Sequence, residues 1–347
     1  MIGIVTIYDY NFGNRLQNYA TYRLLSRFDD NLSIKYLGFY KNDLKRKLSI
    51  MKSFVKHPFR LFCYNRFNRK FIPFYRKTFY RNSKLEDLDD LIDCYVFGSD
   101  QIWNPNFCEK DFNYYMGGFT KKKKIALSPS IGLDTLLNLQ IQSMGSYIKN
   151  IEFISCREEQ GSLLLQKMCN KKVDTLIDPT LMLSEKEWNE IIRKPFFHNR
   201  KSKYILIYFL GGVSPKNKTK IYSFAKQQNL KVIDIYDRKS IYFSCGPSEF
   251  VWLIKHCEVM LTDSFHGCIF SYIYNKPLKI FSRENGELMN SRLINLSKKI
   301  HLNDSLFFKE DCELNDEIFK CRYEKEYLIE EQKMFMNFLN KAIKGDN

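Results

Sequence analysis

The stretch EVMLTDSFHGCIFSYIYNKPLKIFS, residues 258–282, decides the fold class. Its apolar run 258–263 predicts a buried strand, residues 265–275 predict a helix, and residues 277–282 predict a second strand. Strand, helix and strand in this order form the βαβ unit of a parallel sheet. The stretch therefore predicts α/β architecture.

The same alternation continues on both sides of this unit. Further strands are predicted at 3–8, 94–97, 153–155, 172–177, 204–212 and 231–236, and further helices after residue 11, at 216–229, 247–257 and 323–343. A polar, basic stretch at 193–203 interrupts the pattern and predicts an interdomain linker. With 347 residues, the chain is long enough for two domains. We predict two Rossmann-like domains, 1–195 and 204–322, facing across a cleft, and a C-terminal helix, 323–347, that packs back on the first domain.

The net charge of +16 is concentrated in one part of the chain. Between residues 41 and 81 only Asp43 opposes thirteen basic residues: Lys41, Lys45, Arg46, Lys47, Lys52, Lys56, Arg60, Arg66, Arg69, Lys70, Arg76, Lys77 and Arg81. Aromatic residues are interspersed among them. The combination fits an anionic membrane surface, single-stranded nucleic acid, or a solvated basic face whose aromatic side chains belong to the core.

Cysteine usage and hydropathy indicate the compartment. The ten cysteines include no C-x-x-C pair, and several fall inside apolar segments. The N-terminal apolar run is too short for a signal peptide, and no run of about 18 apolar residues could span a bilayer. We expect a reduced, cytoplasmic protein.

Polar loops follow four of the predicted strands. They are NFGNRLQ at 11–17, GSDQIWNP at 98–105, CREEQG at 156–161 and TDSFHG at 262–267. In open α/β sheets, ligands bind beyond the carboxyl ends of the strands. We therefore expect these loops to line the cleft.

The TDSFHG loop begins a helix and carries one of only five histidines, His266. A helix start presents backbone N–H groups and a positive dipole end, so it suits an anion, and His266 adds a titratable donor. The alternative is an ordinary Asp263 or Ser264 cap with a solvated histidine. In CREEQG, Arg157 suits a carboxylate or phosphate; the alternative is a surface pair with Glu158 or Glu159.

The GSDQIWNP and NFGNRLQ loops combine amide, hydroxyl, carboxylate and indole groups, which is typical of a sugar site. Asp100 is a candidate base for a sugar hydroxyl, and the alternative for this loop is a helix cap with a buried tryptophan. We assign acceptor contacts to Asn11, Gly13, Asn14, Gln17, Ser99, Asp100, Gln101 and Trp103. Histidine spacing predicts no metal site, and neither a dinucleotide fingerprint nor a Walker loop is present.

Seven motifs in order resemble the polysaccharide pyruvyl transferase family over residues 8 to 296. They are NFGNRLQNYA, VFGSDQIWNP, SPSIG, SCREEQG, IDPTLML, GPSEFVWLIKHCEVMLTDSFHGCIFSYIYNKP and NSRLINL. The resemblance implies a glycosyltransferase-B-like fold with an acceptor side in the first domain and a donor side in the second. It also implies transfer of a carboxyethylidene group from phosphoenolpyruvate to two hydroxyls of one sugar, without a cofactor.

The family associates an arginine and a histidine with the donor, which correspond here to Arg157 and His266. We expect both to act in catalysis together with Asp100. The expected donor contacts are Arg157, Ser264, Phe265, His266, Gly267 and Arg292. Many members have an arginine where this chain has Ser264, and Arg292, Arg283 or Lys276 could replace its charge.

The resemblance gives the basic stretch 41–81 a role, because a cationic and aromatic surface would hold the enzyme near a lipid-linked acceptor at the inner face of the cell membrane. The alternatives are a nucleotide-sugar glycosyltransferase of the same architecture, a protein that binds nucleic acid through 41–81 without sequence specificity, and a family member that has lost its activity. A nucleic-acid role would leave the polar loops unexplained, so we expect no specific nucleic acid.

Overall fold

The computed structural model describes residues 1–38, 56–81, 83–199, 201–283, 290–308 and 313–345. Two compact units are present, each with its own parallel sheet. Unit 1 comprises Met1–Lys56, Asn65–Met182 and Ile329–Asn347, and unit 2 comprises His57–Tyr64 and Leu183–Leu328. The domain limits that we derived from the sequence stay a prediction.

Unit 1 is built on seven parallel strands in the order β3-β2-β1-β4-β5-β6-β7. The strands are β1 (Ile2–Val5), β2 (Asn31–Tyr36), β3 (Phe74–Phe79), β4 (Cys94–Phe97), β5 (Lys123–Ala126), β6 (Phe153–Cys156) and β7 (Asp174–Thr175). The helices are α1 (Phe12–Leu25), α2 (Pro58–Phe71, residues 65–71 belonging to this unit), α3 (Pro105–Cys108), α4 (Phe112–Tyr115), α5 (Asn138–Ile148) and α6 (Glu159–Cys169).

Unit 2 is built on four parallel strands in the order β11-β10-β8-β9. The strands are β8 (Tyr204–Tyr208), β9 (Lys231–Asp234), β10 (Val259–Thr262) and β11 (Leu278–Ile280). The helices are α7 (Glu185–Asn189), α8 (Pro215–Gln227), α9 (Pro247–His256), α10 (Phe265–Ile273) and α11 (Asn290–Lys299). The last helix, α12 (Glu326–Lys344), belongs to unit 1 from Ile329 onwards. It buries Phe335, Phe338 and Leu339, and within unit 1 the side-chain amide of Gln332 donates to Leu181 O at 2.6 Å.

Strand register places the polar loops at one edge of each sheet. In unit 1, Val5 pairs with Phe97, and Phe97 with Ala126, so β1, β4 and β5 end level with one another. In unit 2, Thr262 pairs with Tyr208. The loops that follow these strands are therefore neighbours within their own unit, as the rule for parallel sheets requires.

The basic stretch is only partly described, because its residues 41–55 lie outside the described ranges. The remainder forms α2 and the edge strand β3, in which Arg76 and Lys77 are exposed. Its aromatic side chains divide into two groups. Tyr64, Phe67 and Phe79 are buried, whereas others of the stretch stay exposed. Part of the aromatic content therefore belongs to the cores.

The stretch 193–203, for which we predicted an interdomain linker, belongs to unit 2 by its contacts. His198 is only 3% exposed, and its Nδ1 lies 2.9 Å from the hydroxyl oxygen of Tyr242. The backbone N–H of Arg193 donates to Ser248 O at 3.2 Å. A segment anchored in this way is part of a folded unit.

Across the described ranges, none of the helices has the length and apolar character that crossing a bilayer requires. Nine cysteines of this part of the chain carry free thiols, and Cys312 lies outside it.

Candidate functional site

The GSDQ turn after β4 is held by the first helix. Gln17, fully buried in α1, accepts a hydrogen bond from the backbone N–H of Ser99 at 3.1 Å and donates to Thr6 Oγ1 at 2.6 Å. Thr6 Oγ1 in turn donates to Ser99 O at 3.1 Å. Both polar ends of the Gln17 side chain are thus used inside unit 1, so we no longer assign Gln17 to the acceptor.

A buried carboxylate joins three loops of unit 1. Asp178 Oδ2 accepts from Ser99 Oγ at 3.1 Å and from Arg157 Nη1 at 3.0 Å. Its other oxygen accepts from the backbone and the hydroxyl of Thr180, at 3.0 and 2.7 Å. The sequence offered Asp178 only as part of IDPTLML, and we did not predict its role.

Arg157 is 4% exposed and lies among carboxylates. Besides Asp178, its Nε donates to Glu158 Oε1 at 3.4 Å, and its Nη2 lies 3.9 Å from Asp100 Oδ1. Burial alone would lower the pKa of Arg157, but the charges of Glu158, Asp178 and Asp100 outweigh burial and raise it. The alternative reading is wrong about a surface position but right about the pair with Glu158. The guanidinium is a buried, permanently charged group, oriented by ion pairs.

Asp100 sits in a tightly specified turn. Its φ is 72°, in the left-handed region that aspartate tolerates better than most residues. Asp100 Oδ1 accepts from the backbone N–H of Gln101 at 2.8 Å, and its backbone O accepts from Ser130 N at 2.7 Å. Next to this turn, Gly132 has φ 67°, and a Cβ there would lie 2.2 Å from Gln101 Nε2. The hydrogen bond from Gln101 N therefore orients the Asp100 carboxylate, and the packing at Gly132 holds the neighbouring Gln101 side chain.

Three other predicted acceptor residues have structural contacts within unit 1. Asn11 is the N-cap of α1 and accepts from Gly13 N at 2.8 Å. Asn14 Nδ2 donates to Asp9 Oδ2 at 2.8 Å; Asp9 is a residue that we did not predict. Trp103 is fully buried, and its indole donates to a backbone carbonyl at 3.0 Å. Stacking of Trp103 on a sugar is wrong for this structure, because neighbouring core side chains cover its ring.

In unit 2, Asp263 organises the carboxyl edge of the sheet. Its two oxygens accept from the backbone N–H groups of Leu210 and Gly211, both at 2.7 Å, and Oδ2 also accepts from Arg283 Nε at 3.2 Å. These contacts join the loop after β8, the turn after β10 and the segment after β11. These contacts hold the loops around the start of α10 together and place the Arg283 guanidinium there.

The start of α10 has the predicted cap. Ser264 is the N-cap, and its Oγ accepts from the backbone N–H of Gly267 at 3.4 Å. We expected the Gly267 amide to face a ligand, and the cap shows this to be wrong. His266, in the first turn, is 7% exposed, so the alternative of a solvated histidine is also wrong. Phe265 lies beside it, with ring centroids 5.4 Å apart.

Of the three candidates for the missing family arginine, Arg283 has the closest link to this motif, through Asp263. Arg292 lies in α11 and is 8% exposed. Lys276 follows the far end of α10, which at about 1.5 Å per residue lies more than about 12 Å from the helix start. Lys276 is therefore less suited than Arg283 to replace this charge.

No group of three or more His, Cys, Asp or Glu side chains within the described ranges is arranged to hold a metal ion.

Comparison with known proteins agrees with this architecture. The chain is similar to UDP-GlcNAc 2-epimerase from Neisseria meningitidis bound to UDP-GlcNAc, with 14% identity, a TM-score of 0.53 and coverage of 98% of this chain and 100% of that one. It is also similar to UDP-GlcNAc 2-epimerase from Methanocaldococcus jannaschii, with 12% identity, a TM-score of 0.51 and coverage of 97% and 92%. At such identities the likeness shows the fold alone, and it confirms the predicted Rossmann-like, glycosyltransferase-B type.

A search of curated protein sequences found no significant match. The family model for polysaccharide pyruvyl transferase, however, matches residues 11–285. The matched region includes Asp100, Arg157 and His266. The chain belongs to the polysaccharide pyruvyl transferase family.

Proposed function

We propose that the protein transfers a carboxyethylidene group from phosphoenolpyruvate to two hydroxyls of a sugar, in a bacterial surface polysaccharide or its lipid-linked precursor. The observation that carries this proposal is the placement of Arg157 and His266. They are 4% and 7% exposed, and each lies at the carboxyl edge of the sheet of its own unit, inside the family-matched region. No cofactor is needed besides the co-substrate.

The donor carries a carboxylate and a phosphate, and the family-matched region contains groups suited to each of them. The start of α10 combines a positive dipole end with the His266 imidazole, which suits the phosphate. Arg283, held by Asp263 at 3.2 Å, adds positive charge to that edge. The Arg157 guanidinium suits the carboxylate, because its ion pairs fix the plane in which it donates.

The reaction balances without a redox step. A general acid protonates the methylene carbon of the donor, and the adjacent carbon becomes cationic. One sugar hydroxyl adds to that carbon, phosphate leaves, and the second hydroxyl closes the ketal ring. Of the two hydroxyl protons, one replaces the proton that the methyl carbon received, and the other leaves on the phosphate. We assign the acid, or the phosphate ligand, to His266 and the hydroxyl base to Asp100.

Phosphate release from phosphoenolpyruvate, measured with a panel of polysaccharide-derived diols, tests this proposal. His266→Gln should lower kcat/KM at least about 100-fold, the usual contribution of an acid–base group. His256→Gln, in α9, is the matched control, because His256 lies on an exposed helix face and contacts Trp252 O. Equal rates for wild type and His266→Gln would contradict the assignment.

Ligand-induced thermal shifts separate this function from a nucleotide-sugar glycosyltransferase. Phosphoenolpyruvate should raise the Tm of the protein, and a panel of UDP-sugars should not. A rise with UDP-sugars alone would replace the proposal with the glycosyltransferase alternative.

We further propose, as the partner of this reaction, an anionic membrane surface reached through the basic stretch 41–81. The support is the cationic and aromatic composition of the stretch. The proposed lipid-linked acceptor would also lie at a membrane. Nucleic acid is disfavoured as a partner, because binding it through 41–81 would leave the polar loops at the strand ends without a role.

A further inference from the structure

Three phenylalanines are exposed on the surface of unit 2. Phe59 is 58% exposed, Phe62 59% and Phe196 75%. Phe59 and Phe196 are in contact, with ring centroids 6.2 Å apart. We call Phe59, Phe62 and Phe196 the phenylalanine patch. Single exposed apolar residues are common on proteins, but neighbouring large ones mark a surface that binds something.

Two members of the patch, Phe59 and Phe62, lie on the solvent-facing side of α2. Phe59 and Phe62 are three residues apart in the first turns of α2, so they share a helix face. Arg60, between them, points inward: its Nη1 donates to Phe243 O at 2.9 Å, and its guanidinium lies 4.4 Å from the Phe243 ring centroid. The rotation of this helix is thereby fixed, and Phe59 and Phe62 remain on the solvent side.

The third member of the patch, Phe196, packs on other aromatic side chains of unit 2. Phe196 packs on Phe197 with ring centroids 5.0 Å apart, and Phe197 packs on Tyr242 at 5.1 Å. The next residue, His198, is buried against the same Tyr242. The exposed ring of Phe196 is therefore held in place by its contact with Phe197, which itself packs on Tyr242.

The chain around the patch is basic. Residues 57–64 and 193–203 contain no aspartate or glutamate, and the second segment contains Arg193, Lys194, Arg200, Lys201 and Lys203. Lys201 and Lys203 are exposed. The pKa of His198 is lowered, first by burial and then by the positive charges of Lys194, His256 and Lys231. Arg193 lies 3.9 Å from Glu249 Oε1, so Lys201 and Lys203 are the exposed cations that remain in the described part of this segment.

We propose that the phenylalanine patch inserts into the interfacial region of an anionic lipid bilayer while Lys201 and Lys203 contact the headgroups. Aromatic side chains at the headgroup boundary and lysines on anionic headgroups are the two contributions that hold peripheral proteins on membranes. Among possible occupants, anionic lipid matches both the rings and the charge. The inference sharpens the membrane partner proposed above, but it does not rest on the transfer reaction.

Vesicle co-sedimentation of the full chain tests the inference. Wild type should bind phosphatidylcholine vesicles that contain phosphatidylglycerol, and Lys201→Gln and Lys203→Gln should each weaken this binding about fivefold. The triple variant Phe59→Ser, Phe62→Ser, Phe196→Ser should bind at least about tenfold more weakly, since the apolar area of three rings no longer leaves water. Phe107→Ser is the matched control, because Phe107 is 57% exposed and lies in unit 1.

Two further measurements complete the test. Brominated lipids should quench the fluorescence of Phe196→Trp more than that of wild type, because the added indole would enter the bilayer. A purely electrostatic contact would not produce this additional quenching. Phosphate release with a water-soluble acceptor should be equal in the triple variant and wild type, so a failed transfer reaction and a failed membrane contact give different results.

Three outcomes would overturn the inference. They are unchanged vesicle binding by the triple variant, no binding of wild type to anionic vesicles, and self-association of wild type in sedimentation velocity that the triple variant abolishes. The last would identify a second copy of the chain as the occupant.

Discussion

Arg157 Nη1 lies 3.0 Å from Asp178 Oδ2, and both side chains are buried. The pair joins the end of β6 to the segment after β7, two parts of the chain 21 residues apart. The same carboxylate oxygen receives the Ser99 hydroxyl at 3.1 Å. One ion pair therefore sets the positions of the loops that carry the proposed base and the proposed donor anchor.

Removal of this carboxylate should destabilise the protein strongly. Asp178→Ala leaves a buried guanidinium without its closest anion, and we expect a loss of about 3–5 kcal/mol in the free energy of unfolding. Urea denaturation measures it. Asp174→Ala is the control, since Asp174 pairs with Lys172, whose side chain is 84% exposed, and such pairs contribute about 0–1 kcal/mol. Similar losses in the two variants would contradict the structural role of Asp178.

Two helical glycines should respond in opposite directions. A Cβ on Gly267 would lie 2.6 Å from Thr262 Oγ1, so Gly267→Ala must push α10 away from β10 and should cost about 1–3 kcal/mol. A Cβ on Gly145, in α5, would meet no neighbouring atom of the described residues within 4 Å, and Gly145→Ala should stabilise by about 0.5–1 kcal/mol. Thermal denaturation of both variants measures the difference. A neutral Gly267→Ala would show that the helix start is not closely packed.

Asp100→Asn should separate chemistry from binding. The amide keeps the size of the side chain but cannot accept a proton, so kcat should fall about 10²–10⁴-fold, while the KM for phosphoenolpyruvate stays within about threefold. Steady-state phosphate release gives both constants. Asp134→Asn, outside the site, is the control. A rise in KM with unchanged kcat would assign Asp100 to binding instead.

Glu249 should make stability depend on pH. Burial raises the pKa of this carboxyl, which is 5% exposed and accepts from Gly246 N at 3.1 Å. Because the folded state then holds a proton that the unfolded state releases, stability is greatest below the ordinary pKa and falls as pH rises through the raised one. Glu249→Gln should remove this fall. Urea titrations between pH 4 and 8 compare the slopes, and parallel curves would contradict the prediction.

Much of the fold follows from local sequence. The stretch 258–282 predicted strand, helix and strand, and the structure has β10, α10 and β11 there with ends shifted by one or two residues. Local patterns succeed here because β10 and α10 are buried and their apolar residues have few alternatives. We missed β2, β3 and β5. In β3, FYRKTF lies at a sheet edge, where the apolar pattern of the strand is weak.

The site was less predictable, for a different reason. Trp103 could contact a sugar or pack in the core. Which of the two occurs depends on side chains distant in sequence, and the residues next to Trp103 in the chain do not indicate it. Asp178 follows a strand of only two residues, and one partner, Ser99, is 79 residues away. Such contacts exist only once the sheet has formed, so a motif names the residues without giving their pairing.

The edge strand β3 presents Arg76 and Lys77 to solvent at the border of the sheet of unit 1. If a strand of another copy of the protein paired with β3, the positive side chains of the two copies would be brought together and lose their hydration. We therefore expect these cations to disfavour aggregation through this edge, and replacing both with uncharged residues to lower the solubility of the protein.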